Sequence, residues 1–304
     1  MWASIVQGVL NTSISEGLVY AFVTIGVFLT LRVLAFPDLT VDGSFVVGGS
    51  IVAILIAGGC NPFLATFAAF AGGLASGLIT GLLNTKLRLP ALLAGILMMV
   101  GLYSINLLIM GRPNVPLLRE ITIFDSVASW FGMERSTILV IIVFAVIVLI
   151  VFVLLNWFLR TETGLALRAT GDNEQMVRSL GADTNKTVLL GCSVSNGLVA
   201  LAGALVAQNQ GFSDVGMGIG MIVLGLAALI IGEGLFHPKG IAPILLACLG
   251  GTFVYRLFIT IVLRLGMPPG DLKLITALLV VIALAIPYIR KKVRHEWLPP
   301  AKRW

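Results

Sequence analysis

A few side chains able to hydrogen-bond sit inside long apolar stretches: Asn84, Ser104, Asn106, Ser195, Asn196, Gln208 and Asn209. In hydrocarbon such groups either bond another helix or line a watery path, so each is a candidate for solute passage and equally for a helix-to-helix tie. Asn106, Ser195 and Asn196 are the candidate pathway residues. Gln208 and Asn209 fall near an outer span end, where solvent accounts for them. Acid–base and metal chemistry have little to build on. The two histidines, His237 and His295, lie in different polar segments, and neither belongs to an HExxH zinc motif. Cys60, Cys192 and Cys248 lie far apart with no CxxC pair, so they read as small apolar packing residues. No GxxxxGK[ST] phosphate loop occurs, so no P-loop nucleotide site and no cofactor are expected on this chain. Any energy for transport must come from a partner or an ion gradient.

The elements carrying these residues are set by composition. Of 304 residues, 58% are hydrophobic and 11% charged, against ~25% charged in a soluble domain. So few charges cannot make a water-facing surface, and the outside must face hydrocarbon. The 34 glycines agree, because small residues let membrane helices approach closely. The net charge of +6 does not indicate nucleic acid, since Arg290, Lys291, Lys292, Arg294, Lys302 and Arg303 crowd one end. A basic tail after an apolar segment marks a cytoplasmic terminus. Met1 to Gln7 carries no positive n-region, so no cleavable signal peptide is expected.

A helix needs roughly 20 apolar residues to cross the ~30 Å hydrocarbon core. Nine stretches qualify or come near: Gly17–Phe36, Gly43–Gly58, Pro62–Thr85, Leu89–Met110, Ser136–Leu159, Val188–Gln208, Gly218–Leu235, Gly240–Leu263 and Leu272–Ile289. The second and seventh are short and glycine-rich, as broken or tilted helices are. Ile5–Leu10 is too short to span and reads as an interfacial helix. With nine spans and a cytoplasmic C-terminus, the inside loops hold thirteen basic residues and the outside loops five, which fits the positive-inside rule. Two arginines remain within spans. Arg32, near an inner end, can snorkel; Arg256 lies deeper and is expected to be paired within protein. Glu16 reads as solvated at an outer boundary. Asp38 and Asp42 read as turn caps near the inner boundary.

Two halves of the chain share landmarks. Ser13-Ile-Ser15-Glu-Gly17-Leu-Val19 resembles Ser193-Val-Ser195-Asn-Gly197-Leu-Val199, Phe36-Pro-Asp38 resembles Phe212-Ser-Asp214, and Gly72-Gly73 resembles Gly250-Gly251. In the nine-span topology the matching spans enter from opposite sides. The expected fold is therefore an all-α membrane protein, about nine transmembrane helices in two inverted repeats joined by a linking helix. Such repeats recur in transporters. The whole chain, 1–304, reads as one transmembrane domain with a cytoplasmic loop over 160–186 and a basic cytoplasmic tail over 290–304.

That loop is the one long polar segment inside. Asp172 is a candidate N-cap with Gln175 three residues on, Glu174 suits the positive helix end, and Gly181 is a natural stop. Met176, Val177 and Leu180 give the short helix one apolar face, which either docks a partner protein or tucks against the membrane domain.

The loop resembles the coupling region of permeases serving branched-chain amino-acid and ribose-type importers of the ATP-binding-cassette class. The matching landmarks are Arg168-Ala-Thr-Gly171, Leu180-Gly181 and Ala200-Leu-Ala-Gly203. Gly17-Leu-Val-Tyr-Ala21, Ile25-Gly26 and Asp38-Leu-Thr-Val-Asp-Gly-Ser44 resemble the family's start. The last run and Arg112-Pro-Asn114 are most similar to a subgroup associated with aromatic amino-acid uptake. An additional N-terminal span of the ribose-type members is missing. The resemblance implies a bacterial inner-membrane permease, working as a dimer with a second copy and importing an amino acid. It implies a cytoplasmic ATPase partner that carries ATP and Mg, and an extracytoplasmic substrate-binding protein. It makes Arg168, Thr170, Gly171, Asn173, Glu174, Met176, Val177, Leu180 and Gly181 the residues expected at the ATPase contact. The competing reading is an ion-gradient-driven secondary transporter, which would want a carboxylate near mid-membrane and would leave the 160–186 loop without a task.

Overall fold

The computed structural model describes residues 2–132, 134–266, 274–278 and 281. Among the described residues the regular structure is helical apart from two three-residue strands. Among the described residues seven helices are long and apolar enough to cross a membrane. The expected span Leu272–Ile289 lies outside the described residues except for 274–278 and 281, which are helical, and the tail over 290–304 lies wholly outside them.

Helix α1 (Trp2–Phe28) is continuous with a π-helical turn at Leu29–Val33. This corrects the separate interfacial helix expected at Ile5–Leu10. No proline interrupts the segment, and the hydroxyls of Thr12 and Ser15 bond back to the Gly8 and Thr12 carbonyls (2.9 and 3.0 Å), so polar residues that suggested a break are absorbed by the helix itself. α2 (Thr40–Ala57) and α3 (Pro62–Thr85) follow. Asn61 caps α3 through the Phe63 amide (2.9 Å), with Pro62 in the first turn. α4 (Ala91–Met110) leads to strand β1 (Asn114–Pro116) and the short α5 (Ile123–Trp130), which Thr122 and Asp125 close with a reciprocal capping box.

α6 (Thr137–Phe158) is followed by a pair of short helices, α7 (Glu162–Asp172) and α8 (Glu174–Ser179). α9 (Thr184–Gln210), strand β2 (Phe212–Asp214), α10 (Met221–Phe236) and α11 (Ile241–Arg264) complete the described fold. β1 and β2 pair antiparallel, Val115 opposite Ser213, so they join the ends of α4 and α9 on one side of the membrane.

α9 is the central post, packed on α1, α2 and α3. Gly203 lies against the Phe45 backbone and Gly48 against that of Ala200, and a methyl group at either position would overlap a carbonyl oxygen. The apolar side chains of α3, α4 and α6 instead face outward, with Phe67 70%, Leu108 81% and Trp157 67% exposed, as lipid-facing residues are.

Candidate functional site

The chain between Val33 and Thr40 does not run along a surface. Asp38 is fully enclosed, its Oδ1 accepting from the Thr40 amide (2.8 Å), which fixes the start of α2. Its Oδ2 accepts from Asn196 Nδ2 (2.7 Å). Asn196 lies about 18 Å along α9 from Thr184 and about 21 Å from Gln210. Asp38 therefore sits at the level of the middle of α9, which corrects its expected place near the inner boundary. The cap that the sequence suggested is present, and a long-range bond is added to it.

Asn196 uses its whole amide within the chain. Nδ2 also donates to the Cys192 carbonyl (2.9 Å), and Oδ1 accepts from Ser44 Oγ (2.7 Å). Ser44 in turn meets Ser76 (3.0 Å), and Thr40 meets Thr80 (2.9 Å). Asp38, Thr40, Ser44, Ser76, Thr80 and Asn196 thus form one polar knot joining α2, α3 and α9, shielded from solvent in this conformation. Bonds between membrane helices are worth ~0.6 kcal/mol each on average and ~1.7 at most, so the knot holds firmly in sum while any one bond can exchange.

Asp42, in the first turn of α2, has a different task. Its carboxylate accepts from the amides of Gly220 (3.0 Å) and Ile222 (2.8 Å) at the start of α10. The negative charge meets the positive end of a helix that has no side-chain cap of its own. Two helix N-termini therefore meet in the interior, the arrangement expected of broken membrane helices.

The other candidate pathway residues lie around this centre. Ser195 donates to the Gly26 carbonyl at the α1–α9 crossing (2.7 Å). Asn106 is completely buried; its Nδ2 donates to the Gly43 carbonyl (3.2 Å), while its Oδ1 has no hydrogen-bond partner. The Gly43 bond places Asn106 at the α2–α4 contact. Gln208 is fully buried, bonding the Ile123 amide (3.0 Å) and Thr66 (2.9 Å), so solvent does not account for it. It anchors α5 to α9, a contact invisible from span boundaries alone. Arg256 pairs with Glu16 (3.2 Å) and lies over the Tyr20 ring, 3.5 Å from its centroid, which is the pairing expected of it. Glu16 is therefore an ion-pair partner rather than merely solvated. Arg32 forms a two-pronged bond with Glu233 and remains half exposed.

Beyond Val33 at the end of the α1 segment and Thr184 at the start of α9, α7 and α8 form a two-helix handle. Asn173, not Asp172, caps α8, accepting from the Met176 amide (3.0 Å); Asp172 is the last residue of α7. The change of cap follows from α7, a helix opened by Thr161 and not foreseen, which runs through the arginine–alanine–threonine–glycine stretch before the chain turns. Gly181 ends the handle at φ +85°, as its expected role as a stop requires. Val177 is buried, whereas Met176 (49%) and Leu180 (77%) are exposed. The apolar face is thus divided between the membrane domain and open space. Arg168 is exposed, Thr170 meets Thr187 of α9 (3.0 Å), and Glu174 pairs with Arg178 (2.6 Å). Gly171 touches the Val33 carbonyl so closely that a methyl group would overlap it, which seats α7 on the π-helical turn of α1. Among the described residues no group of three or more His, Cys, Asp or Glu is placed to hold a metal ion.

A family profile described as branched-chain amino acid transport system / permease component matches residues 9–285. A tyrosine transport system permease protein of Clostridioides difficile is 42% identical over 271 residues, covering 89% of this chain and 88% of the relative. An uncharacterized protein of Rickettsia prowazekii is 35% identical over 92% of this chain and 98% of its own length. An autoinducer 2 import system permease protein of Salmonella paratyphi B is 33% identical over 38% of this chain and 33% of its own length. No solved structure matches.

Proposed function

The chain belongs to the branched-chain amino acid transport system / permease component family, and from that premise we propose that it is the multi-pass inner-membrane permease subunit of an ATP-binding-cassette importer for an amino acid. The name of the Clostridioides difficile relative supports an aromatic amino acid as cargo. The observation that carries the reading is the handle: Met176 and Leu180 stand exposed on a polar helix pair outside every span, where an apolar pair wants a protein partner. The partner is a cytoplasmic ATPase holding ATP and Mg. Its surface receives α8, with Arg168, Thr170, Gly171, Asn173, Glu174, Met176, Val177, Leu180 and Gly181 forming or shaping the contact. A second copy of the permease completes the pathway, and a substrate-binding protein delivers cargo on the strand side.

Nine spans in two inverted halves fit this reading. α1 and α9 have 27 residues each, α3 and α11 have 24 each, and α2 and α10 have 18 and 16. The packing is also reciprocal: α3 lies on α9 as α11 lies on α1, and α2 lies on α9 as α10 lies on α1. Asn106, Ser195 and Asn196 belong to the interior that opens toward the pathway. Their bonds exchange when the handle pulls on the π-helical turn and the Asp38 segment that follows it.

A secondary transporter would instead use Asp38 as its ion site. Reconstitution separates the two. With the cognate ATPase and binding protein in proteoliposomes, amino-acid uptake follows ATP and is indifferent to collapse of sodium and proton gradients. Uptake by the permease alone, driven by a gradient, would refute the proposal.

A further inference from the structure

At the handle end of the membrane domain lies a cavity of about 690 Å³. It is walled by the inner end of α1, the α6–α7 junction, Glu233 of α10 and the first turn of α11. Three arginines face it: Arg32, Arg160 and Arg168. Arg32 is engaged by Glu233, while Arg160 and Arg168 make no ion pair with any described residue. Asp172 is the remaining negative group in the wall, so the lining keeps one net positive charge. α11 adds to it. Its N-cap is Gly240, with no side-chain cap, and Pro243 has no N–H to offer, so the amides of Ile241 and Ala242 are open to an anion. Of the apolar wall residues, Phe28 and Leu159 are buried in the core beneath the cavity and Ile244 is half-buried at its edge.

We infer that this cavity is a binding site for an anionic glycerophospholipid of the inner leaflet, with the phosphate held by Arg160, Arg168 and the start of α11. The inference rests on the proposed membrane orientation, not on the cargo. The chemistry matches part by part. A guanidinium fork suits phosphate oxygens. Headgroup hydroxyls donate to the Asp172 carboxylate, and the acyl chains leave the cavity past half-buried Ile244. One phosphate charge balances the one uncompensated cation. A basic pocket between helices at the cytoplasmic boundary is where such headgroups are read. Because Arg168 and Asp172 belong to α7, the lipid touches the base of the handle.

The test is native mass spectrometry of the purified permease, delipidated and then supplied with phosphatidylglycerol, phosphatidylethanolamine or phosphatidylcholine in mixed micelles. Phosphatidylglycerol is expected to be retained at least fivefold over either zwitterionic lipid. Arg160→Gln should cut that preference about fivefold, the effect of one basic residue near the surface. Arg160→Lys should keep part of it, and Arg119→Gln, the same charge change on the opposite side, should keep all of it. Equal retention of the three lipids, or loss in Arg119→Gln as large as in Arg160→Gln, overturns the site. Displacement of phosphatidylglycerol by millimolar inorganic phosphate would show an anion site without lipid selectivity and also overturns it. If the cavity instead receives the ATPase, Arg160→Gln will lower ATPase retention and leave lipid retention unchanged. That outcome refutes the lipid assignment while leaving the proposed function standing.

Discussion

Asp42→Ala removes the carboxylate that ties the start of α2 to the start of α10. Two bonds are lost, to the Gly220 and Ile222 amides, at 3.0 and 2.8 Å. At the average worth of a bond between membrane helices the loss is about 1 kcal/mol, and at the upper value about 3.5. The upper part of the range is favoured here, because the acceptor faces an otherwise uncapped helix end. At about 2.1 cal/mol/K of unfolding entropy per residue, 1 kcal/mol moves the melting of a 304-residue chain by about 1.5 °C, so Asp42→Ala should melt roughly 3–5 °C lower in detergent. Asp42→Asn, which keeps one acceptor oxygen but not the charge, should lose about half as much. Hydrogen exchange gives the local readout. Amides in the 218–224 stretch should exchange about tenfold faster in Asp42→Ala, whereas α3 should not change. A variant with wild-type melting and wild-type exchange in that stretch would refute the claim that Asp42 holds α10 in place.

Two other perturbations follow from the same geometry. Glu16→Gln leaves Arg256 largely buried (13% exposed) without its counter-charge and should destabilise the protein by about 1–3 kcal/mol. Adding Arg256→Met, which replaces the ion pair with apolar packing, should recover most of that loss; a double variant melting below Glu16→Gln would contradict it. Gly171→Ala sets a methyl group against the Val33 carbonyl, an overpacking worth about 1–3 kcal/mol. If this contact transmits the stroke, ATP-driven uptake in proteoliposomes falls at least fivefold while the ATPase stays bound, and undiminished uptake removes Gly171 from the path.

Spans were legible because hydrocarbon demands long apolar runs, so Pro62–Thr85 agrees with α3 residue for residue. The partnership of Arg256 was legible from the cost of a lone charge at depth. What escaped was whatever depends on how one segment folds over another. Asp38 looked like a boundary residue, since linear position cannot show that the chain dips inward after a π-helical turn. Gln208 looked solvated because α5, which covers it, is too short to register in a scan for spans. Asp172 looked like a cap until α7 extended through it, leaving the role to Asn173. The apolar trio of the loop was visible, but its division into buried Val177 and exposed Met176 and Leu180 is a property of packing. No periodicity contains it.

The central claim is that α8 is the grip of a separate ATPase, and Leu180→Asp tests it most directly. Leu180 is 77% exposed in the isolated chain, so an aspartate there is solvated and leaves the fold intact. In a protein contact the same carboxylate is stripped of water without a partner. Affinity-tagged permease is purified from native membranes, and the co-eluting ATPase is measured against Leu118→Asp, an equally exposed change on the opposite side (82%). The account predicts that Leu180→Asp loses at least tenfold of the ATPase while Leu118→Asp keeps it. Full retention of the ATPase by Leu180→Asp would contradict it.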